Sequence, residues 1–376
     1  MRALLFAVIA SASLVRCAPA MTVEDAATSV AQCASCHPDH VRDHSASRHA
    51  RAAMGELYTT LRDRGDSRTR SFCDSCHRPA VGTTEGLSCE SCHRAVGNSA
   101  PLNAMLRWDP SAPLSSARND AVMTSGHSTR FHGFLPSSEL CGTCHEVQGP
   151  GAFRETPFTE WQRSPAAQAN VTCVQCHGSP TPGRPTDRPM LPAASDPRAP
   201  SPPRPRTDHH FVGPDESDPA VAERLLRDSA AIVITREGNE AVVSITSRVM
   251  GHSLPTGVRA VRELWLELSV FDASGAQRIV SGALDQTQSF VRDEPFAREE
   301  FHDELSDALP TLANIIRVRA LEAGATRTVR FALEPATSRV RARLRYRAQS
   351  PRLRTMLGLS AAAPAPIEIA QAELHW

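Results

Sequence analysis

Hydrophobic and polar positions follow two different patterns along this chain. From residue 207 onward, apolar side chains alternate with polar ones or run together over strand lengths, and Gly, Pro, Asp or Asn separate the runs. The runs are residues 231–234, 241–245, 264–271, 328–333 and 340–346. Because a period of two puts alternate side chains on one face of a strand, these runs predict an antiparallel β-sandwich of the immunoglobulin-like type.

The preceding segment, residues 21–178, is polar and shows no sustained helical or strand period. Such a segment cannot bury a sizeable core of its own side chains, so we expect short helices and loops packed around large apolar groups. Residues 179–206 contain ten prolines and no aromatic residue, which favours an extended linker. The predicted fold class is α+β in two domains: a helix-and-loop domain over 21–178, the linker over 179–206, and the β-sandwich domain over 207–376.

Residues 1–20 have the pattern of a secretory signal peptide. Arg2 precedes a short apolar run, and residues 18–20 read Ala-Pro-Ala, a typical cleavage site. We therefore expect an exported bacterial protein, periplasmic or extracellular. Anchoring as a lipoprotein through Cys17 is less favoured, because Arg16 stands where a small residue is required. No later stretch is apolar enough to span a bilayer, so we expect no transmembrane segment in the mature chain.

The charge balance gives no reason to expect a nucleic-acid partner. The 376 residues include 41 basic and 41 acidic side chains, a formal net charge of +0 at pH 7. All the basic residues are arginine, and the sequence contains no lysine. Arginine makes forked, bidentate contacts with carboxylates.

The pattern CxxCH occurs five times and uses ten of the eleven cysteines. We number the occurrences motif 1 (Cys33, Cys36, His37), motif 2 (Cys73, Cys76, His77), motif 3 (Cys89, Cys92, His93), motif 4 (Cys141, Cys144, His145) and motif 5 (Cys173, Cys176, His177). CxxCH is the signal for covalent attachment of haem c, because two thiols can bond one porphyrin while the adjacent imidazole binds its iron. Zinc sites or disulfides would leave the five fixed histidines unexplained. The sequence therefore predicts five covalently attached haem c groups.

Each haem iron has a second axial position, and ten histidines outside the motifs could fill it. The preferred candidates are His49, His127, His132, His209, His210 and His252. His40 and His44 are weaker candidates, and His302 and His375 have the pattern of surface residues. Methionine is the alternative ligand, with Met54, Met105 and Met123 available. The short gap between motifs 2 and 3 suggests that their haems are close neighbours.

The chain resembles the multihaem cytochromes c related to hydroxylamine oxidoreductase and its tetrahaem acceptor cytochrome. Residues 33–52 look like the opening segment of that family, a CxxCH followed by a short helix and Ser-x-His-Ala, which implies that His49 ligates a neighbouring haem. Further resemblance lies in residues 72–79, 85–93, 137–147, 159–177 and 209–213, and residues 251–275 are similar to a C-terminal β-domain found in some members. One departure is that Ser164–Ala167 lacks the histidine that many relatives carry there.

The sequence leaves two main functions open. An electron carrier that exchanges electrons with donor and acceptor proteins is favoured, because the spare histidines outnumber the irons and could close every haem. The alternative is a reductase or oxidase of a small nitrogen or sulfur compound at one five-coordinate haem. Against it, the resemblance implies catalytic haems held by a CxxCK lysine or crosslinked to a tyrosine, whereas this chain has no lysine and only Tyr58 and Tyr346. A sensor or binding module is a third possibility, but no feature of the sequence indicates it.

Overall fold

The computed structural model describes residues 30–79, 85–120, 127–149, 151–192, 203–214, 218–292, 294–307, 310, 313–359 and 362–376. The predicted signal peptide and Cys17 lie outside these residues. Within them, no helix combines the length and the apolar character needed to cross a lipid bilayer.

Short helices separated by loops and very short strands make up the chain before residue 178, in agreement with the sequence pattern. The helices are α1 (Pro38–Ala46), α2 (Glu56–Arg64), α3 (Ser67–His77), α4 (Cys89–His93), α5 (Ser138–Gly142), α6 (Pro157–Gln162), α7 (Pro165–Gln168) and α8 (Cys173–His177). The strands are β1 (Ala95–Asn98), β2 (Leu106–Trp108), β3 (Leu114–Ser116), β4 (Thr129–Phe131), β5 (Val147–Gln148) and β6 (Arg154–Glu155), which pair in sequence order as three two-stranded sheets.

Two of the motif helices start at a reciprocal cap. The backbone N–H of Ser88 donates to Ser91 Oγ at 2.9 Å at the start of α4, and that of Thr172 donates to Gln175 Oε1 at 2.7 Å at the start of α8. Such capping boxes satisfy backbone donors that a helix start leaves unpaired. Because each cap directly precedes the first cysteine, motifs 3 and 5 begin at the first residue of a helix.

The described part of the proline-rich segment contains a turn at residues 181–184 and two short strands. Strand β7 (Met190–Pro192) pairs antiparallel with β8 (Pro203–Pro205). Helix α9 (Pro219–Leu226) follows and leads into the β-rich part of the chain.

Two antiparallel sheets form the rest of the chain and share one core. The first sheet has the order β15 (Thr326–Ala332), β10 (Glu240–Ser247), β9 (Ala230–Glu237), and the second has the order β12 (Gln277–Ser281), β11 (Glu263–Asp272), β16 (Thr337–Arg347), β17 (Ile367–His375). Strands β13 (Glu304–Leu305) and β14 (Ile315–Arg317) form a small separate sheet, and α10 (Pro351–Leu357) lies between β16 and β17. Buried side chains from both larger sheets pack together, including Val243, Leu266, Phe331, Leu344 and Ile369.

All five strand runs predicted from the sequence coincide with observed strands, namely β9, β10, β11, β15 and β16. The turn signal at residues 272–275 is also confirmed, since Gly275 N–H donates to Asp272 O at 3.0 Å between β11 and β12. An antiparallel, two-sheet architecture therefore follows from period-two patterning.

Candidate haem site

One large cavity occupies the helix-and-loop part of the chain. Its volume is about 3180 Å³, and all ten motif cysteines and all five motif histidines line it. A pocket for one small molecule has a volume of only about 300–1,000 Å³. The cavity therefore has the size and the wall chemistry expected for several large groups attached at the five motifs.

Each motif forms one helical turn, which explains how its three functional side chains act together. In motifs 1 and 4, which do not lie wholly within a regular helix, the histidine N–H donates to the carbonyl of the first cysteine at 2.7 and 2.8 Å. Positions i, i+3 and i+4 of a helical turn share one face. Both thiols and the imidazole of each motif are consequently directed to the same region of the cavity wall.

The motif imidazoles are held by hydrogen bonds through Nδ1. His77 donates to Ala52 O at 2.6 Å, His93 to Ser115 O at 2.8 Å, and His177 to Val212 O at 3.0 Å. A histidine that ligates a metal through Nε2 typically donates its other ring N–H to a carbonyl or carboxylate, which fixes the ring and its tautomer. These contacts leave Nε2 as the nitrogen available to an iron.

Four motif histidines face a second histidine across the cavity at nearly constant spacing. Two imidazoles that bind one metal ion from opposite sides through bonds of about 2.0 Å have ring centres about 6 Å apart. The observed pairs are His37 with His127 at 6.2 Å, His49 with His145 at 6.1 Å, His93 with His209 at 6.4 Å, and His177 with His252 at 6.2 Å. The residues therefore fit haem iron held between two imidazoles at motifs 1, 3, 4 and 5.

His49 is positioned by the backbone of a distant segment. Its carbonyl accepts from Leu87 N–H at 2.8 Å, and Ser47 Oγ accepts from Ala50 N–H at 3.1 Å. A Cβ atom at Gly86 would clash with the carbonyls of His49 and Ala50, so only glycine allows this approach. Burial lowers the pKa of His49 to about 3. The imidazole is therefore neutral at pH 7, the form that binds metals.

The segment after the proline-rich stretch serves two motifs. His209 faces His93 with ring planes only 9° apart, and its Nδ1 donates to Thr207 O at 3.0 Å. Three residues later, the carbonyl of Val212 receives the hydrogen bond from His177. Burial, with the neighbouring His40, lowers the pKa of His209 to about 3. This short segment therefore holds one imidazole of the motif 3 pair and fixes the motif 5 imidazole.

His252 reaches the cavity from the loop after β10, in the β-rich part of the chain. Its Nδ1 donates to Ser253 O at 2.9 Å, while Ser253 N–H donates to Glu160 Oε2 on α6 at 2.9 Å. Ala166 N–H donates to Met250 O at 3.1 Å, which fastens the same loop to α7. The loop thus packs on the Ser164–Ala167 stretch, where the sequence lacks a histidine, and brings His252 opposite His177.

Glu160 is the centre of the contact between the two parts of the chain. Besides Ser253, its carboxylate accepts from Thr256 Oγ1 at 2.8 Å and from the guanidinium of Arg259. Arg259 also contacts Asp303, with Nε and Oδ1 3.1 Å apart. These side chains are largely buried, so the network fixes the position of the His252 loop.

Motif 2 differs from the other four. None of the 15 histidines, all of which lie in the described residues, faces His77 at the spacing of the other pairs. Instead, the Tyr58 ring stacks on the His77 imidazole with ring centres 4.2 Å apart. The Tyr58 hydroxyl donates to Asp74, which Arg62 holds by two hydrogen bonds of 2.7 Å. Arg62 lowers the pKa of Asp74, which keeps this carboxylate ionised as an acceptor.

The remaining candidate ligands divide by their relation to the cavity. His132 and His210 do not line it, whereas His40 and His44 do. Met54 and Met105 are 56% and 45% exposed and lie outside the lining, and Met123 falls outside the described residues. Sequence context therefore does not separate the histidines in the wall from those outside it.

Contacts between thiols of different motifs show which attachment sites adjoin. Hydrogen-bonding contacts join Cys33 with Cys89, Cys76 with Cys144, and Cys141 with Cys173. They link motif 1 to motif 3, motif 2 to motif 4, and motif 4 to motif 5. The expectation that the haems of motifs 2 and 3 are close neighbours stays a prediction. Motif 4 has two such neighbours and lies at the centre of the set.

Arginine side chains are distributed along the cavity wall. Arg48, Arg94, Arg188, Arg206 and Arg248 all line it. Guanidinium groups suit the carboxylates of a haem, because they donate two parallel hydrogen bonds. The wall therefore offers partners for propionates as well as thiols and imidazoles.

Comparison with known proteins gives one informative result. No family model matches the chain, and no curated protein matches it. The crystal structure of a penta-haem cytochrome c552 from Thermochromatium tepidum aligns with a TM-score of 0.67 over 93% of this chain and 98% of that chain, at 21% identity. The chain therefore has a multihaem cytochrome fold. A hypothetical protein from Pyrococcus horikoshii, with a TM-score of 0.18 and 11% identity over 39% of this chain, does not bear on the site.

Proposed function

We propose that the protein is an exported penta-haem c-type cytochrome that transfers electrons between donor and acceptor proteins. Each CxxCH motif carries one haem c through its two cysteines, and its histidine is the first iron ligand. The observation that carries this proposal is the set of four imidazole pairs with ring centres 6.1–6.4 Å apart across one cavity. The five motifs also agree in number with the haems named for the Thermochromatium tepidum cytochrome.

The geometry supports one assignment of second ligands. We assign His127 to motif 1, His209 to motif 3, His49 to motif 4 and His252 to motif 5. His132 and His210, which the sequence offers equally, are left out because neither lines the cavity. Two imidazoles on each of four irons would leave no open position for a substrate there, which suits electron transfer.

Haem iron, when bound, supplies one-electron exchange, and the chain supplies the environment. Burial lowers the pKa of His49, His93, His177 and His209, which favours the neutral form that binds a metal. Backbone carbonyls fix the rings of His77, His93, His177, His209 and His252 through Nδ1. Loops from distant parts of the chain keep the imidazoles in pairs. Such fixed ligands limit structural change when an electron arrives or leaves. The balanced formal charge supports protein redox partners and no nucleic acid.

Domain organisation and relationship are part of the same proposal. The haem-carrying part comprises residues 21–178, the linker 179–206, and the β-rich part 207–376, which contributes His209 and His252 to the cavity. We propose that its two sheets form an immunoglobulin-like sandwich, and that the chain is related to the hydroxylamine oxidoreductase group and its tetrahaem acceptor. The signal pattern in residues 1–20 supports a periplasmic or extracellular location.

The test is a haem count together with electron paramagnetic resonance of the oxidised mature protein. We expect five covalent haems per chain from the pyridine haemochrome spectrum and mass spectrometry, and low-spin signals from four of them. Fewer than five haems would contradict the proposed cofactor content. Five haems with most of the iron high-spin would contradict the ligand assignment.

A second candidate function rests on motif 2. His77 faces no second imidazole, so a motif 2 haem would have a position open to a small molecule, as in a reductase or oxidase of a nitrogen or sulfur compound. Carbon monoxide distinguishes the two functions, because it binds a reduced haem only where a position is open. A perturbed spectrum for about one haem in five would favour the second candidate, and nitrite, hydroxylamine and sulfur oxyanions would then be tested as substrates. An unperturbed spectrum would favour a pure electron carrier.

A further inference from the structure

Motif 4 is followed directly by a hairpin that returns the chain to its own histidine. Strands β5 and β6 pair antiparallel, with Val147 opposite Glu155. Gly151, with a φ of 61°, lies in the turn between them. The hairpin brings Glu155 Oε2 to 3.5 Å from His145 Nδ1. A ten-residue separation along the chain thus becomes a direct contact between a carboxylate and a motif imidazole.

This contact differs in kind from those at the other motifs. The Nδ1 atoms of His77, His93 and His177 have neutral backbone carbonyls as partners, whereas His145 has a carboxylate. A carboxylate partner makes a ligating imidazole a stronger electron donor, which favours the more positive, oxidised metal.

We propose that Glu155 is a positioning residue that lowers the reduction potential of the motif 4 haem through the contact of its carboxylate with the ligand His145. The inference rests on the proposed function, because it requires a haem at Cys141 and Cys144. Motif 2 adjoins motif 4 through the contact between Cys76 and Cys144, so the charge of Glu155 also acts there, at longer range. Its effect is therefore largest at motif 4 and smaller at motif 2.

The ring geometry makes the motif 4 haem distinguishable from the others. The planes of His49 and His145 are 79° apart, whereas the other three pairs are 9°, 21° and 34° apart. In a low-spin ferric haem, nearly perpendicular axial imidazoles give a more anisotropic resonance signal than nearly parallel ones. The potential of this one haem can therefore be followed in the complete protein.

The experiment is a redox titration of the full-length holoprotein monitored by electron paramagnetic resonance, comparing wild type with Glu155→Gln. We expect the midpoint of the most anisotropic low-spin signal to shift to a higher potential, with a smaller upward shift at motif 2 and none at motifs 1, 3 and 5. Glu139→Gln is the matched control, since it removes an exposed carboxylate from α5 of the same motif without contacting His145. It should leave the midpoint nearly unchanged.

Further comparisons distinguish the role of the Glu155 charge from the proposed haem content. Glu155→Asp retains the charge and should shift the same midpoint less than Glu155→Gln does, and this comparison also serves if the glutamine variant loses haem. An unmoved midpoint, or one that moves equally in Glu139→Gln, would overturn the role of Glu155. Fewer than five haems in the wild type would contradict the proposed function instead.

Discussion

The two parts of the molecule differ in the number and size of the apolar side chains that they bury. Among the described residues from 30 to 178, only seven apolar side chains are buried, and five of these are alanine. In the β-rich part, by contrast, large side chains such as Tyr346, Phe301 and Leu266 are almost fully buried in one continuous core. Burial of large apolar side chains is the main source of folding free energy. The β-rich part therefore has a core of its own, and the helix-and-loop part depends on the groups that fill its cavity.

The largest effect is expected when haem attachment is prevented, because only the helix-and-loop part should then lose its structure. We expect a chain with all ten motif cysteines replaced by serine to lose stable structure before residue 178, because its apolar filling is absent. Limited proteolysis should cut that part rapidly while fragments containing β9 to β17 survive. The holoprotein treated in parallel is the control, and uniform protection of the haem-free chain would contradict the idea.

A core substitution in the β-rich part should destabilise that part and leave the haem-carrying part unchanged. Leu266, 1% exposed on β11, packs within the common core. Leu266→Ala should lower the free energy of unfolding by about 2–5 kcal/mol, measured by denaturant unfolding followed by circular dichroism, and should leave the haem spectrum unchanged. Val233→Ala, at a position 59% exposed on β9, is the control and should cost much less. Equal losses for both variants would argue against a separate core.

The junction between the parts can be tested at Glu160. Glu160→Gln keeps the shape but presents an amide N–H₂ group to donors that now meet a carboxylate, so the free energy of unfolding should fall by about 1–3 kcal/mol. The looser His252 loop should also give a small high-spin fraction in the resonance spectrum. Glu223→Gln, at an exposed pair with Arg227, should change neither quantity. A loss of stability without a high-spin signal would separate the network from ligand placement.

The smallest energetic effect, but the sharpest contrast, is expected at two adjacent histidines. His209→Ala should convert one low-spin haem to high-spin without loss of covalent haem, because His209 faces His93. His210→Ala should leave all spin states unchanged, because His210 does not line the cavity. Resonance spectra with a haem count decide both, and the same spectrum for the two variants would remove His209 from the ligand assignment.

Local patterns in the sequence predict several of these features. Alternation with a period of two identifies β9, β10, β11, β15 and β16, because each of these strands needs only one buried face. The CxxCH pattern identifies the attachment sites, because the chemistry lies within five consecutive residues. Strand β17 also alternates, with Ile369 buried in the core, but its alanines and glutamates make the pattern weak. Strand patterning is thus detectable where large side chains carry it.

The ligand pairs could not be derived in this way, because they depend on how distant segments meet. Nothing local distinguishes His209 from His210, and a backbone turn decides which of them enters the cavity. His40 and His44 line the wall although their sequence context gave them little weight. The thiol contacts likewise join motif 2 to motif 4 and not to its nearest neighbour in sequence. Gly86, whose missing side chain admits the His49 carbonyl, is a signal that only the folded structure explains.

The positions of His209 and His252 have a consequence for biogenesis. A chain leaves the ribosome N-terminus first, so all five attachment motifs emerge before either of these residues. In the proposed assignment, a haem attached at motif 3 or motif 5 before the C-terminal part is present would lack its second imidazole. Completion of the two haem sites would therefore depend on residues 207–376, which supply His209 and His252 to the cavity.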